Sequence, residues 1–172
     1  MKQVYVLRHA PKYDTTGDLT EEGKGKAIDL QNKLPSFNLV ISSDSPRTQE
    51  TAILLTKIQP QIDRRAGYFN APKEISDKIN NQAKSHPAGF TGAYLDNEQI
   101  KEYVNNQAKE LKDLIFETLE KLGSDDKALI ISHDITMVPA EKLLTDGPYT
   151  KSFNYLSGYI VNGNKEFNRY SQ

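Results

Sequence analysis

The chain has 172 residues, 37% hydrophobic and 26% charged, with 22 Lys and Arg against 23 Asp and Glu and a formal net charge of -1. A chain of this length buries one sizeable core, and the interrupted apolar runs are those of a soluble globular domain. Balanced charge gives no long-range field for a polyanion, so nucleic acid is not an expected partner, and the lack of cysteine excludes disulfides, thiolate nucleophiles and thiolate metal sites.

The N-terminal stretch Met1–Leu7 has too few apolar residues before Arg8 for a signal peptide and no segment is long enough to span a membrane, so the expected compartment is the cytoplasm. Val4–Leu7 instead predicts a buried strand. Pro11 to Gly17 is rich in turn residues, and Thr20 then caps a helix with Glu21 and Glu22 in its first turn, apolar positions at Ala27, Ile28, Leu30 and Leu34, and a stop at Pro35. Leu39–Ile41 predicts a second strand, running into a helix from Pro46 to Lys57 with proline at its start. Gln61–Asp63 reads as a brief third strand. From Arg64 to Asn97 the chain carries Pro72, Pro87, Gly89 and Gly92 with little periodicity, which predicts a loop-rich insertion over the site.

Ile100, Val104, Leu111, Leu114, Ile115, Leu119 and Leu122 mark one face of a long helix from Glu98 to Leu122, with Gly123 as its expected C-cap. Ala128–Ile131 predicts another buried strand, and a helix runs on through Leu144. Tyr155–Val161 and Lys165–Tyr170, about a turn at Asn162-Gly163, predict a closing hairpin. The alternation of strands and helices predicts a single α/β domain: a three-layer α/β/α sandwich whose mainly parallel sheet has an antiparallel C-terminal edge.

In such sheets ligands bind beyond the carboxyl ends of the strands. His9 follows the first strand behind Arg8, and His133 follows the Ala128–Ile131 strand. Arg47 lies in the first turn after the second strand. Each alone reads as an ordinary strand-end or surface residue; together they point to an anion site, and guanidinium forks match phosphate oxygens. A neutral, oriented imidazole is a competent nucleophile toward phosphorus.

Four strings carry a resemblance: Leu7-Arg8-His9-Ala10, Asp18-Leu19-Thr20-Glu21-Glu22-Gly23, Ser42-Ser43-Asp44-Ser45-Pro46-Arg47-Thr48-Gln49-Glu50-Thr51-Ala52, and Ile131-Ser132-His133-Asp134. In this order they resemble the histidine phosphatase superfamily, which also holds phosphoglycerate mutases and acid phosphatases; they cover the first third and last quarter of the chain. The resemblance implies a phosphoglycerate mutase-like fold, a phosphohistidine intermediate on His9, phosphate held by Arg8, Arg47 and His133, and no metal or cofactor.

The main branch of that family has a glutamate soon after the third strand. Here Asp63-Arg64-Arg65-Ala66-Gly67 has none, and Glu74 comes late. The acid-phosphatase branch places an aspartate directly after the second histidine, as Asp134 stands here. Asp134 is therefore the favoured proton donor, with a plain helix N-cap as its other reading. His86 reads as an exposed loop histidine, Lys12 as a solvated lysine, and Tyr149, Tyr155 and Tyr159 as core or rim aromatics. Three functions follow: a metal-independent phosphatase acting on a small phosphorylated metabolite or a phosphoprotein, a phosphoglycerate-mutase-type phosphoryl transferase, or a phosphate-binding module without catalysis.

Overall fold

The first strand, β1 (Gln3–Arg8), is buried on both sides: Val4 and Val6 face one layer of helices while Tyr5 and Leu7 face the other. A strand of this kind must lie inside a doubly covered sheet. The computed structural model describes residues 1–69, 71–83, 85, 89–149 and 152–171, and places β1 in a six-stranded sheet of order β3–β2–β4–β1–β5–β6. The strands β2 (Leu39–Ser42), β3 (Gln61–Ile62) and β4 (Lys127–Ser132) run parallel to β1, whereas β5 (Gly158–Asn162) and β6 (Phe167–Tyr170) form the antiparallel edge. The expected three-layer architecture is the one observed.

On one face, helices α1 (Glu21–Gln31) and α2 (Pro46–Thr56) cover Tyr5, Leu7, Val40, Leu129 and Ile131 through Ala27, Leu30, Ala52 and Leu55. On the other, α5 (Glu98–Lys121) and α6 (Asp134–Thr145) cover Val4, Val6, Ile41, Ala128 and Ile130. Thr20 caps α1 as its sequence predicts, its hydroxyl accepting from the Gly23 N–H at 2.9 Å. Glycine is needed at 23 because a Cβ there would lie 2.3 Å from the Pro11 carbonyl oxygen, which fixes α1 against the loop behind β1.

Some sequence expectations are corrected. Ile28 is 44% exposed, since the buried stripe of α1 runs through Gly23, Ala27 and Leu30 and the helix ends at Gln31, ahead of Pro35. Gly123 is not the cap of α5: Leu122 ends that helix in an extended conformation, and the Gly123 N–H goes to Asp126 Oδ2. The last strand pair is shorter than the apolar runs suggest, because Leu156 takes a positive φ of 61° and turns the chain before β5 begins.

The largest correction concerns Arg64–Asn97. A 3-10 turn at Arg64–Ala66 is followed by α3 (Lys73–Ala83) and α4 (Gly89–Leu95), so the stretch is largely helical. Its prolines and glycines misled because Pro72 precedes α3, its carbonyl accepting from Ile75 and Ser76, and Gly89 opens α4. Ile79, Tyr94 and Leu95 seat the pair on the core. His86 lies outside the described residues.

Candidate active site

Register sets the site. β1 and β4 pair with Leu7 opposite Ile131 and Arg8 opposite Ser132, so His9 and His133 leave neighbouring strands at the same level. β2 pairs Ser42 with Ile131, which brings Ser43 and the start of α2 alongside. The two imidazoles stand 5.3 Å apart between ring centres.

Each group is oriented by backbone chemistry. His9 Nδ1 lies 2.8 Å from the Ala10 carbonyl oxygen. A carbonyl only accepts, so Nδ1 carries the hydrogen and Nε2 keeps its lone pair. The Ala10 peptide is itself held: its N–H donates to the Thr51 hydroxyl, which donates in turn to the Arg47 carbonyl. Burial first, then the cations Arg47, Arg8 and Lys12, lower the proton affinity of His9 to a pKa of about 3, against the raising effect of the Ala10 hydrogen bond. His9 is thus a neutral imidazole at physiological pH.

Arg47 Nε donates to His9 Nε2 at 3.3 Å, and its Nη2 donates to Tyr68 Oη at 3.0 Å and His133 Nδ1 at 3.4 Å. Because a guanidinium only donates, His133 Nδ1 is the acceptor and its Nε2–H donates to Ser43 Oγ at 3.0 Å. The Ser43 and Thr48 hydroxyls, 2.7 Å apart, continue this chain to the Ser45 carbonyl. Burial, with the charges of Arg47 and Arg8 adding to it, pushes His133 well below the usual histidine range. Arg8 Nη1 donates to the Phe153 carbonyl at 2.6 Å, its guanidinium lies 4.0 Å over the Tyr155 ring, and its buried Nε has no hydrogen-bond partner among the described residues. Neither Arg8 nor Arg47 has a carboxylate partner among those residues.

These groups open onto a cavity of about 740 Å³. Arg8, His9, Arg47 and Asp134 line it, together with Lys12, Tyr68, Asn80, Thr91 and Tyr155. His133 does not: at 1% exposure it sits behind the wall, with Tyr68 stacked on it at 4.1 Å. Tyr68 is carried there by side chains of the second histidine motif and its helix, the Ser132 hydroxyl donating to the Ala66 carbonyl and Thr136 to the Gly67 carbonyl, both at 2.7 Å.

The proton-donor candidates separate cleanly. Glu74 is exposed on α3 and does not line the cavity. Asp134 is 8% exposed and is not the N-cap of α6, a place His133 occupies; its Oδ1 accepts from the Phe153 N–H at 2.6 Å and its Oδ2 from the Thr91 hydroxyl at 2.5 Å. Lys12, expected to be solvated, lies on the cavity wall with its ammonium 3.1 Å from Asp14. Tyr155 is a rim aromatic and Tyr159 a fully buried one, while Tyr149 is 37% exposed.

Tyr68 and Thr91 escape sequence reasoning because their roles come only from contacts made across the fold. Among the described residues no group of three or more His, Asp or Glu could hold a metal ion, and no helix is long and apolar enough to cross a membrane.

The sequence matches no protein-family model and no curated protein. Solved structures match over nearly the whole chain. A mycobacterial glucosyl-3-phosphoglycerate phosphatase superposes with a TM-score of 0.71 at 15% identity, covering 98% of this chain and 97% of its own. The phosphoglycerate mutase of Bacillus anthracis gives 0.64 at 17% identity, with 99% and 92% covered, and YhfR of Bacillus stearothermophilus gives 0.67 at 17%, with 94% and 91%. The fold of this chain is that of the phosphoglycerate mutase-like histidine phosphatases.

Proposed function

We propose that the protein is a phosphatase that hydrolyses a small phosphomonoester through a phosphohistidine on His9. One observation carries this reading: a neutral imidazole, with Nδ1–H fixed on the Ala10 carbonyl, aims its Nε2 lone pair beside two guanidiniums that have no carboxylate partner among the described residues. As an arriving phosphoryl group draws the Arg47 Nε–H from Nε2 onto its own oxygens, the freed Nε2 lone pair attacks phosphorus in line while Arg8 and Arg47 take the charge of those oxygens. Positioning and electrostatics do most of the work in such a transfer. His133 braces Arg47 through Nδ1; with its one N–H on Ser43 Oγ, it can donate to a phosphoryl oxygen only after Nδ1 gains a proton.

Asp134 supplies the leaving-group proton and recovers one from the water that hydrolyses the intermediate. Its place on the cavity wall supports this role over that of Glu74. The cavity falls within the ~300–1,000 Å³ usual for small-molecule sites, which favours a metabolite over a phosphoprotein. The mutase reading gains from Asn80 of α3 and Thr91 of α4, which line the cavity as a mutase needs for retaining its intermediate.

Incubation with an aryl phosphate and with 3-phosphoglycerate decides between them. Free phosphate from the aryl ester, lost in His9→Ala, is the expected result. Movement of phosphate between the glycerate hydroxyls with little release makes the protein a mutase. Neither activity, with phosphate bound tightly, makes it a binding module.

A further inference from the structure

We propose that Thr91 is a further catalytic residue, whose hydroxyl relays the proton between Asp134 and the oxygen of the leaving group; this rests on Asp134 as the acid. Both oxygens of the Asp134 carboxyl are engaged, Oδ1 by the Phe153 N–H at 2.6 Å and Oδ2 by Thr91 Oγ1 at 2.5 Å. The two partners differ in what they can carry. A peptide N–H donates and takes nothing back, whereas a hydroxyl accepts one hydrogen while giving another.

Accepting the Phe153 N–H favours Oδ1 as the carbonyl oxygen, so the protonated carboxyl carries its hydrogen on Oδ2 and the Thr91 bond reverses, Oδ2 donating to Thr91 Oγ1. Thr91 is 5% exposed, yet it lines the same cavity as His9, Arg8 and Arg47. It stands on α4, 43 residues from Asp134, so the catalytic proton path is completed by the helices that arch over the site.

In the first half-reaction the His9 Nε2 lone pair forms the N–P bond and the P–O bond to the alcohol breaks, its electron pair passing to oxygen. That oxygen takes the Thr91 hydrogen as Thr91 takes the hydrogen of Asp134 Oδ2. Asp134 is left as carboxylate, Thr91 as a hydroxyl, and the alcohol departs. In the second, water oxygen bonds phosphorus, the N–P pair returns to Nε2, and a water proton passes through Thr91 to Asp134.

Single-turnover phosphorylation of His9, followed with an alkyl phosphate and an activated aryl phosphate, tests the relay. Thr91→Val, which keeps the shape and removes the hydroxyl, is expected to slow the alkyl substrate on the order of 100-fold and the aryl one little, since its leaving group hardly needs a proton. Thr91→Ser should stay close to wild type. Rates in mixtures of light and heavy water should bow downward for the alkyl substrate, as two protons in flight require. If Asp134→Asn slows only the alkyl ester while Thr91→Val slows both esters equally or neither, the relay is wrong and the acid assignment stands. If Asp134→Asn slows both equally, the acid assignment falls and takes the relay with it. A straight isotope plot for the wild-type protein also overturns the relay.

Discussion

At the residue scale, the site is a set of tautomers and donors fixed by neighbours. The Ala10 carbonyl decides which nitrogen of His9 carries the hydrogen and which the lone pair, and Thr51 decides where that carbonyl points. Arg47 is the hub, touching His9, His133 and Tyr68 at once. Its removal should therefore lower turnover of an aryl phosphate by roughly 10²–10³, the scale of losing one donor to developing charge. Steady-state kinetics of Arg47→Ala, with circular dichroism to show the fold unchanged, check this. His9, Arg8, Arg47 and His133 were legible as strand-end residues because two neighbouring strands deliver like groups at one level. Thr91 was not, since nothing local to it announces a partner 43 residues away.

The elements divide in the same way. β1, β2 and β4 could be read because burial on both faces demands unbroken apolar runs. α5 could be read because Ile100, Val104, Leu111, Ile115 and Leu119 recur on one face over many turns. α3 and α4 could not: α3 sets only Ile75 and Ile79 at helical spacing, among prolines and glycines that read as loop, and α4 is only 7 residues long, so tertiary packing completes what the local pattern begins. Strand β5, between β1 and β6, shows how tightly the elements meet, for a Cβ on Gly158 would stand 1.9 Å from the Val6 carbonyl oxygen and 2.9 Å from Met137 Cε. Gly158→Ala must push β5 away from β1, and a loss of about 3 kcal/mol in denaturant unfolding is expected.

For the whole molecule, burying two neutral histidines at the head of the sheet links stability to pH. The His9 pKa of about 3 lies below the ordinary 6.5, and His133 is displaced in the same direction. Between those values the unfolded chain binds a proton that the folded chain refuses, so stability rises with pH and falls on acidification. At about 1.4 kcal/mol per pH unit, His9 withdraws ~2 kcal/mol between pH 6.5 and 5, and His133 adds a loss of the same sign. The melting temperature should drop from pH 7 to 5, and drop less in His9→Asn. An anion between the guanidiniums counters the effect, so phosphate should protect most at the acid end.

The proposed function turns on one covalent event, the phosphorylation of His9. Acid-sensitive, base-stable label from a radioactive aryl phosphate, trapped by rapid alkaline quench and mapped by peptide mass, tests it most directly. A single phosphohistidine at His9 is expected, absent in His9→Ala and retained in the folded His133→Asn variant at a reduced rate. Turnover of the same ester with no label on His9, or with label on another side chain, would contradict it.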